Sequence, residues 1–204
     1  MASHPKLGEH LKVLRRRHGW TLQDVSRQTG VAVSTLSKVE NDQMSLTYDK
    51  IQQISEGLGL NIAEFLALGE PHGTGLARRS VNRRDDGLRQ TTHNYDYLYL
   101  STDITRKRMV PVLTRVRART LEEFGPLLRH SGEEFIFVLE GAIEVHTEHY
   151  QPVRLETGES TYLDSTMGHA YLAIGKADAL VLGVCSSAQP DLQKTLISLF
   201  RPTE

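Results

Sequence analysis

Two hydrophobic periods divide the chain. From residue 7 to 68, apolar residues recur at helical spacing. Leu7, Leu11 and Leu14 mark a first helix that Gly19 stops, and Leu22 with Val25 faces a second. Leu36 and Val39 belong to a third over roughly 32–41, and Ile51, Ile54 and Leu58 to a fourth. Asn61 and Glu64 start a fifth that turns Phe65 and Leu66 inward. Thr21 with Asp24 three residues later is a capping-box pattern, and Gly30 suits the left-handed turn that leaves the second helix.

From residue 92 the period is two. Tyr95, Tyr97 and Tyr99 alternate with Asp96, Leu98 and Leu100, and Val110, Val112, Thr114 and Val116 with Pro111, Leu113, Arg115 and Arg117. Segments 135–139 and 142–146 flank Glu140-Gly141, which reads as a two-residue hairpin. Further strands are expected at 160–163, 169–173 and 179–185. Seven or eight short strands predict a sandwich or jelly-roll barrel, whose interior commonly holds a small ligand. Between the two regimes, residues 69–90 contain four glycines, a proline and five arginines, and read as a linker with a short strand around 76–81. The expected organisation is multidomain α plus β: a five-helix domain over 7–68, a linker over 69–90 and a barrel over 91–200. Whether 191–200 is a helix or a strand stays open.

Composition narrows the class. At 204 residues, with 39% hydrophobic and 24% charged positions, the chain has apolar material for two small cores. It has no apolar run long enough for a membrane-spanning helix. Residues 1–6 lack the apolar stretch of a secretory signal, so a cytoplasmic location is expected. The single Cys185 excludes an intramolecular disulfide and a multi-cysteine metal cluster. The net charge of −1 conceals an asymmetry. Residues 1–41 hold seven Lys/Arg against three acids, 71–120 hold eleven against four, and 121–204 hold five against thirteen. Phosphate contacts require positive charge on one face, not a basic chain as a whole.

Residues 21–41, TLQDVSRQTGVAVSTLSKVEN, spell helix, glycine turn, helix. This arrangement lets one helix enter a major groove while its partner braces it on the backbone. With Val25, Gly30, Leu36, Ser37 and Glu40 in place, the segment resembles the Xre, lambda-repressor-like helix-turn-helix family. The resemblance implies that Val33, Ser34, Thr35, Ser37 and Lys38 lie on the reading helix. Lys38 would donate to guanine, Ser34 and Ser37 would hydrogen-bond in either sense, and Val33 would touch a thymine methyl. It makes Thr21, Gln23 and Asn41 phosphate-positioning groups, with Arg15, Arg16 and Arg17 adding sequence-independent attraction. The alternative is a helical bundle that mediates only protein contacts.

Two stretches of the second half, 129–141 (RHSGEEFIFVLEG) and 158–171 (GESTYLDSTMGHAY), resemble the two motifs of the cupin superfamily. The fusion resembles the Xre–cupin regulators. In the cupin pattern two histidines and a glutamate of the first motif and a histidine of the second bind a metal. Here His130, Glu134 and His169 match three of these ligands, and Leu128 stands where the first histidine would be. Asp164 and Ala173 also replace the usual proline and asparagine. On a straight strand residues 130 and 134 would be about 13 Å apart at roughly 3.3 Å per residue. His130 must therefore precede the strand on a bend, which Ser131-Gly132 supplies. Two histidines and a carboxylate suit non-heme Fe(II), with Zn, Mn and Ni as alternatives. The competing reading is three polar residues lining a metal-free effector pocket. Tyr97, Tyr99, Arg115, Phe135, Phe137, Tyr162 and Tyr171 are candidates for the pocket wall, and Arg115 or Arg117, if inward, would select an anionic effector.

Two functions follow. The first is an operator-binding transcriptional regulator, not an enzyme, whose barrel senses a small molecule and forms a homodimer on two-fold double-stranded DNA sites. The second is a mononuclear non-heme iron cupin enzyme of the epoxidase kind, a class that also joins a helical domain to a cupin.

Overall fold

The computed structural model describes residues 7–60, 62–66, 79–104 and 107–186; the segment 191–200 and most of the expected linker lie outside them. The helical half contains α1 (Leu7–Arg17), α2 (Leu22–Thr29), α3 (Val33–Glu40), α4 (Tyr48–Gly57) and α5 (Ile62–Phe65). Thr21 and Asp24 close the capping box on α2, and Gly30 ends that helix at φ 71° with its N–H on the Ser26 carbonyl. Leu11, Val25, Leu36, Ile51, Ile54, Phe65 and Leu66 meet in one core. Two glycines set how closely the helices approach. A Cβ on Gly8 would lie 1.9 Å from the Val39 carbonyl oxygen, and one on Gly57 would lie 2.6 Å from the Thr29 Cα. Helix α1 thus rests on the backbone of α3, and α4 on the end of α2.

Among the described residues, the second half has nine strands and one short helix. They are β1 (Leu88–Thr91), β2 (Tyr95–Tyr99), β3 (Met109–Val116), α6 (Leu121–Phe124), β4 (Glu133–Glu140), β5 (Ala142–Thr147), β6 (Val153–Glu156), β7 (Ser160–Asp164), β8 (His169–Ala173) and β9 (Ala179–Ser186). Six form one sheet in the order β1-β2-β3-β9-β4-β7, and three form another, β6-β5-β8. Alternation in β3 and β9 buries Val110, Val112, Thr114 and Val116 against Ala179, Val181 and Cys185.

The structure corrects three expectations. Glu140-Gly141 is not a hairpin: β4 pairs with β7 and β9, whereas β5 pairs with β6 and β8. Gly141, at φ 76°, is a corner where the chain leaves one sheet for the other. Residues 79–82 are not in a strand; the first strand begins at Leu88, inside the expected linker. Finally β6 and α6 were not expected, and α6 lies over β8, which explains why all five β8 residues are buried.

The two halves touch through α4 and through α1, which meets β1. Gln52 Nε2 donates to the Ser131 carbonyl at 3.0 Å, and the Ser131 hydroxyl donates to Glu56. The Tyr48 ring meets the His130 ring edge-on at 4.7 Å and lies 6.3 Å from that of Tyr99. No helix among the described residues is long and apolar enough to cross a membrane.

The α1–α3 contact leaves no room for a methyl group. Gly8→Ala is expected to destabilise the protein by about 2 kcal/mol, read as a lowered thermal midpoint, whereas Gly19→Ala, with open space around it, costs only its left-handed backbone.

Candidate nucleic-acid interface and metal centre

On α3 the apolar side, Leu36 and Val39, is buried, and the opposite side presents Val33, Ser34 and Lys38 to solvent with Thr35 and Ser37 at its margins. Gln23 is exposed on α2. Three other expected contacts are committed elsewhere. The Thr21 hydroxyl accepts from the Asp24 N–H at 3.1 Å and donates to Asp24 Oδ2 at 2.6 Å, so the cap uses it. Asn41 Nδ2 donates to the Ser37 carbonyl at 2.9 Å. Arg15 is not a free phosphate contact. Its Nε and Nη2 donate to the two oxygens of buried Glu40 at 2.6 and 2.8 Å, and its Nη1 to the Trp20 carbonyl. This bidentate pair is short and charge-assisted. It ties the end of α1 to the end of α3 and keeps Glu40 from being a buried, unpaired charge.

In the barrel, Ser131-Gly132 makes the expected bend, with Gly132 at φ 94°. His130 therefore reaches back to Glu134, the first inward residue of β4. His169 opens β8, where its backbone bonds both ways with Leu128. His130 Nε2 and His169 Nε2 each lie 3.5 Å from the same oxygen, Glu134 Oε2, and all three side chains are at least nine-tenths buried. His169 Nδ1 is 2.9 Å from the Met167 carbonyl and His130 Nδ1 is 3.2 Å from that of Ser131. A carbonyl only accepts, so each Nδ1 carries a proton, which leaves each Nε2 to donate to the carboxylate when the ring is protonated and to ligate a cation when it is neutral. Among the described residues, the ligand atoms that lie within 4.8 Å of one another are those of His130, Glu134 and Cys185, and His169 Nε2 approaches the same carboxylate at 3.5 Å. The residues present fit a divalent metal.

Electrostatics agree with that geometry. Burial pushes the Glu134 carboxyl up, but His130, His169 and the Tyr171 hydroxyl, which donates to it at 3.1 Å, hold it below its ordinary value. Burial lowers His169, which favours the neutral ligand form. Cys185, opposite Glu134 on β9, brings a buried sulfur within 4.8 Å of the His130 and Glu134 ligand atoms. Burial raises its thiol well above the usual range. Beside it, Gly183 lets Val112 and Ile136 close in, since a Cβ there would stand 3.1 and 3.3 Å from their side chains.

The pocket wall divides the candidates. Tyr97 and Tyr171 line it, and fully buried Tyr99 stacks on Tyr97 at 5.7 Å. Arg115, Phe135, Phe137 and Tyr162 do not. Tyr162 is 63% and Phe135 37% exposed, Arg115 is exposed and Phe137 half-buried on the outer face. Strand alternation is the cause: a β4 that turns Glu134 inward must turn residues 135 and 137 outward. Arg117, just beyond β3, pairs with Asp96 at 3.5 Å and selects no ligand.

A helix-turn-helix family matches residues 11–65 and a cupin domain family matches residues 121–185. The chain thus joins a helix-turn-helix domain to a cupin domain. Among curated relatives, this helix-turn-helix–cupin chain is 23% identical over 164 residues to the HTH-type transcriptional regulator PuuR of Escherichia coli, covering 80% of this chain and 85% of that one. It is 28% identical over 166 residues to (S)-2-hydroxypropylphosphonic acid epoxidase of Streptomyces wedmorensis, covering 76% and 82%. A solved HTH_3 family transcriptional regulator from Vibrio cholerae shares the fold at a TM-score of 0.57 and 21% identity, covering 90% of this chain and 96% of that one. Four residues of the site escape a reading of sequence alone: Tyr48, Tyr95, Gly183 and Cys185. Strand parity could have found Tyr95 and Cys185, which alternate in step with Tyr97 and Val181. Nothing local connects Tyr48 to a strand some eighty residues away.

Proposed function

We propose that this helix-turn-helix–cupin protein is a sequence-specific transcriptional regulator whose barrel holds a divalent metal at His130, Glu134 and His169 and senses a small molecule. The observation that carries the DNA-binding part is the polar face of α3. Val33, Ser34 and Lys38 are presented to solvent on a helix fixed by a buried ion pair and a glycine contact. Gln23 supports backbone positioning from α2, with Thr35 and Ser37 at the edge of the reading surface and Thr21 and Asn41 holding the helix ends. Similarity to regulators along most of the chain supports the same reading. The protein would act in the cytoplasm, and a bound metal would supply a Lewis acid with positions open to a ligand's oxygen.

Dimerisation through the barrel suits this role, because one short helix reads too few bases for genomic specificity. The outer face of the six-stranded sheet carries apolar rows. Leu98, Leu113, Leu182 and Phe137 are cross-strand neighbours, as are Pro111, Val184, Phe135 and Tyr162. A second copy of this chain is the occupant that a two-fold operator calls for.

A second reading is retained by one observation, the two histidines and one carboxylate converging with coordination positions to spare. It is a non-heme iron oxidoreductase, and the likeness to an epoxidase favours it.

A gel shift with DNA upstream of the chain's own reading frame, titrated with salt, tests the leading reading. Ser34→Ala with Lys38→Ala should cost about 1–3 kcal/mol of specific binding and leave the fold unchanged; undiminished discrimination between operator and random DNA overturns it. His130→Ala should lower the metal-to-protein ratio several-fold in protein purified without chelator, and an unaltered ratio removes the metal site. Leu113→Asp with Leu182→Asp should convert a dimer to a monomer in sedimentation; an unchanged sedimentation coefficient places the interface elsewhere. Turnover of an organic substrate with iron and oxygen, without operator binding, would install the second reading.

A further inference from the structure

The metal-facing cavity of the barrel is closed by the DNA-binding domain. Its volume is about 30 Å³, room for an ion and a water but for no organic molecule. Apart from the polar end at His130, Glu134 and His169, its walls are barrel tyrosines, aliphatic side chains, Thr114 and Cys185, and one wall residue comes from outside the barrel. Tyr48 belongs to α4 of the helical half and is 5% exposed. Its ring stands edge-on to His130, and its hydroxyl lacks an oxygen or nitrogen partner and lies beside the Cys185 thiol. The ring is held by shape, in the place where a ligand approaching the metal would put its body. Around it the junction is polar: Gln52 and Glu56 on the Ser131 loop.

We propose that the small-molecule site is shared by the two domains, and that an organic ligand takes the place of the Tyr48 ring and thereby undocks α4. The wall chemistry defines the ligand. It has an aromatic or aliphatic body matching Tyr95, Tyr97 and Tyr171, and one oxygen donor for the metal. No lysine or arginine lines the cavity, so the metal alone would meet the charge of that oxygen. Helix α4 packs on α2, the brace of the reading helix, so its release alters how α3 is presented. This inference rests on the sensor reading of the barrel and adds the residue through which the ligand is felt.

The chain's sole cysteine provides the test, because Cys185 lies in the cavity that Tyr48 closes and is only 2% exposed. In the full-length protein, disulfide exchange of Cys185 with dithiodipyridine should be slow. Tyr48→Ala, and independently Gln52→Ala, should each raise the rate about tenfold. Adding p-cresol, the tyrosine side chain as a free molecule, should return Tyr48→Ala to the slow rate. If Tyr48→Ala fails to fold, Gln52→Ala still opens the seam with Tyr48 present. Equal rates in wild type and variants overturn the closure, and p-cresol without effect on Tyr48→Ala overturns the shared site. The readout requires no DNA, so its failure is separate from a loss of operator binding, which would strike the regulator reading itself.

Discussion

A carboxylate inside an apolar barrel is expensive unless its charge is answered, and the layout of the second half of this chain follows from how Glu134 is answered. It receives a hydrogen bond from Tyr171 and faces two imidazole nitrogens at equal distance. Each of those rings is held by a backbone carbonyl on its other nitrogen. The bend at Ser131-Gly132 and the inward phase of β8 both serve the same convergence. Leu128 leaves the polar end of the cavity apolar on one side.

The charge distribution complements this division of labour. Positive charge gathers in the first 41 residues and between 71 and 120, negative charge beyond 121. A polyanion is attracted to the first of these stretches and to the second, and is repelled by the acidic strands beyond residue 121. Within the helical end, however, the charges are not equivalent. Arg15 is spent on Glu40, and its positive charge contributes to architecture instead of phosphate contact.

Much of this was legible in the sequence, for definite reasons. The capping box, Gly30 and the apolar spacing are local signals, and α2 and α3 form where those signals place them. Strands β2 and β3 likewise coincide with the runs that alternate most clearly. What failed was arithmetic that the sequence itself contained. Glu134 and Phe135 cannot both face a barrel interior, nor can Thr114 and Arg115, because adjacent strand residues point opposite ways. The Gly141 corner was misread because a glycine between two strands looks the same whether they pair or part into different sheets. Pairing partners are long-range facts. The seating of Tyr48 against His130 is of this kind, as is the claim of Glu40 on Arg15.

The absent side chain of Gly8 reaches beyond stability. Because α1 meets the main chain of α3 at the Val39 carbonyl, the pose of that helix is set by backbone against backbone, on the side away from Ser34 and Lys38. The outward residues can then be exchanged without shifting the axis that carries them. Evolution is left free to rewrite which operators are chosen, one surface position at a time, on a scaffold that does not register the change.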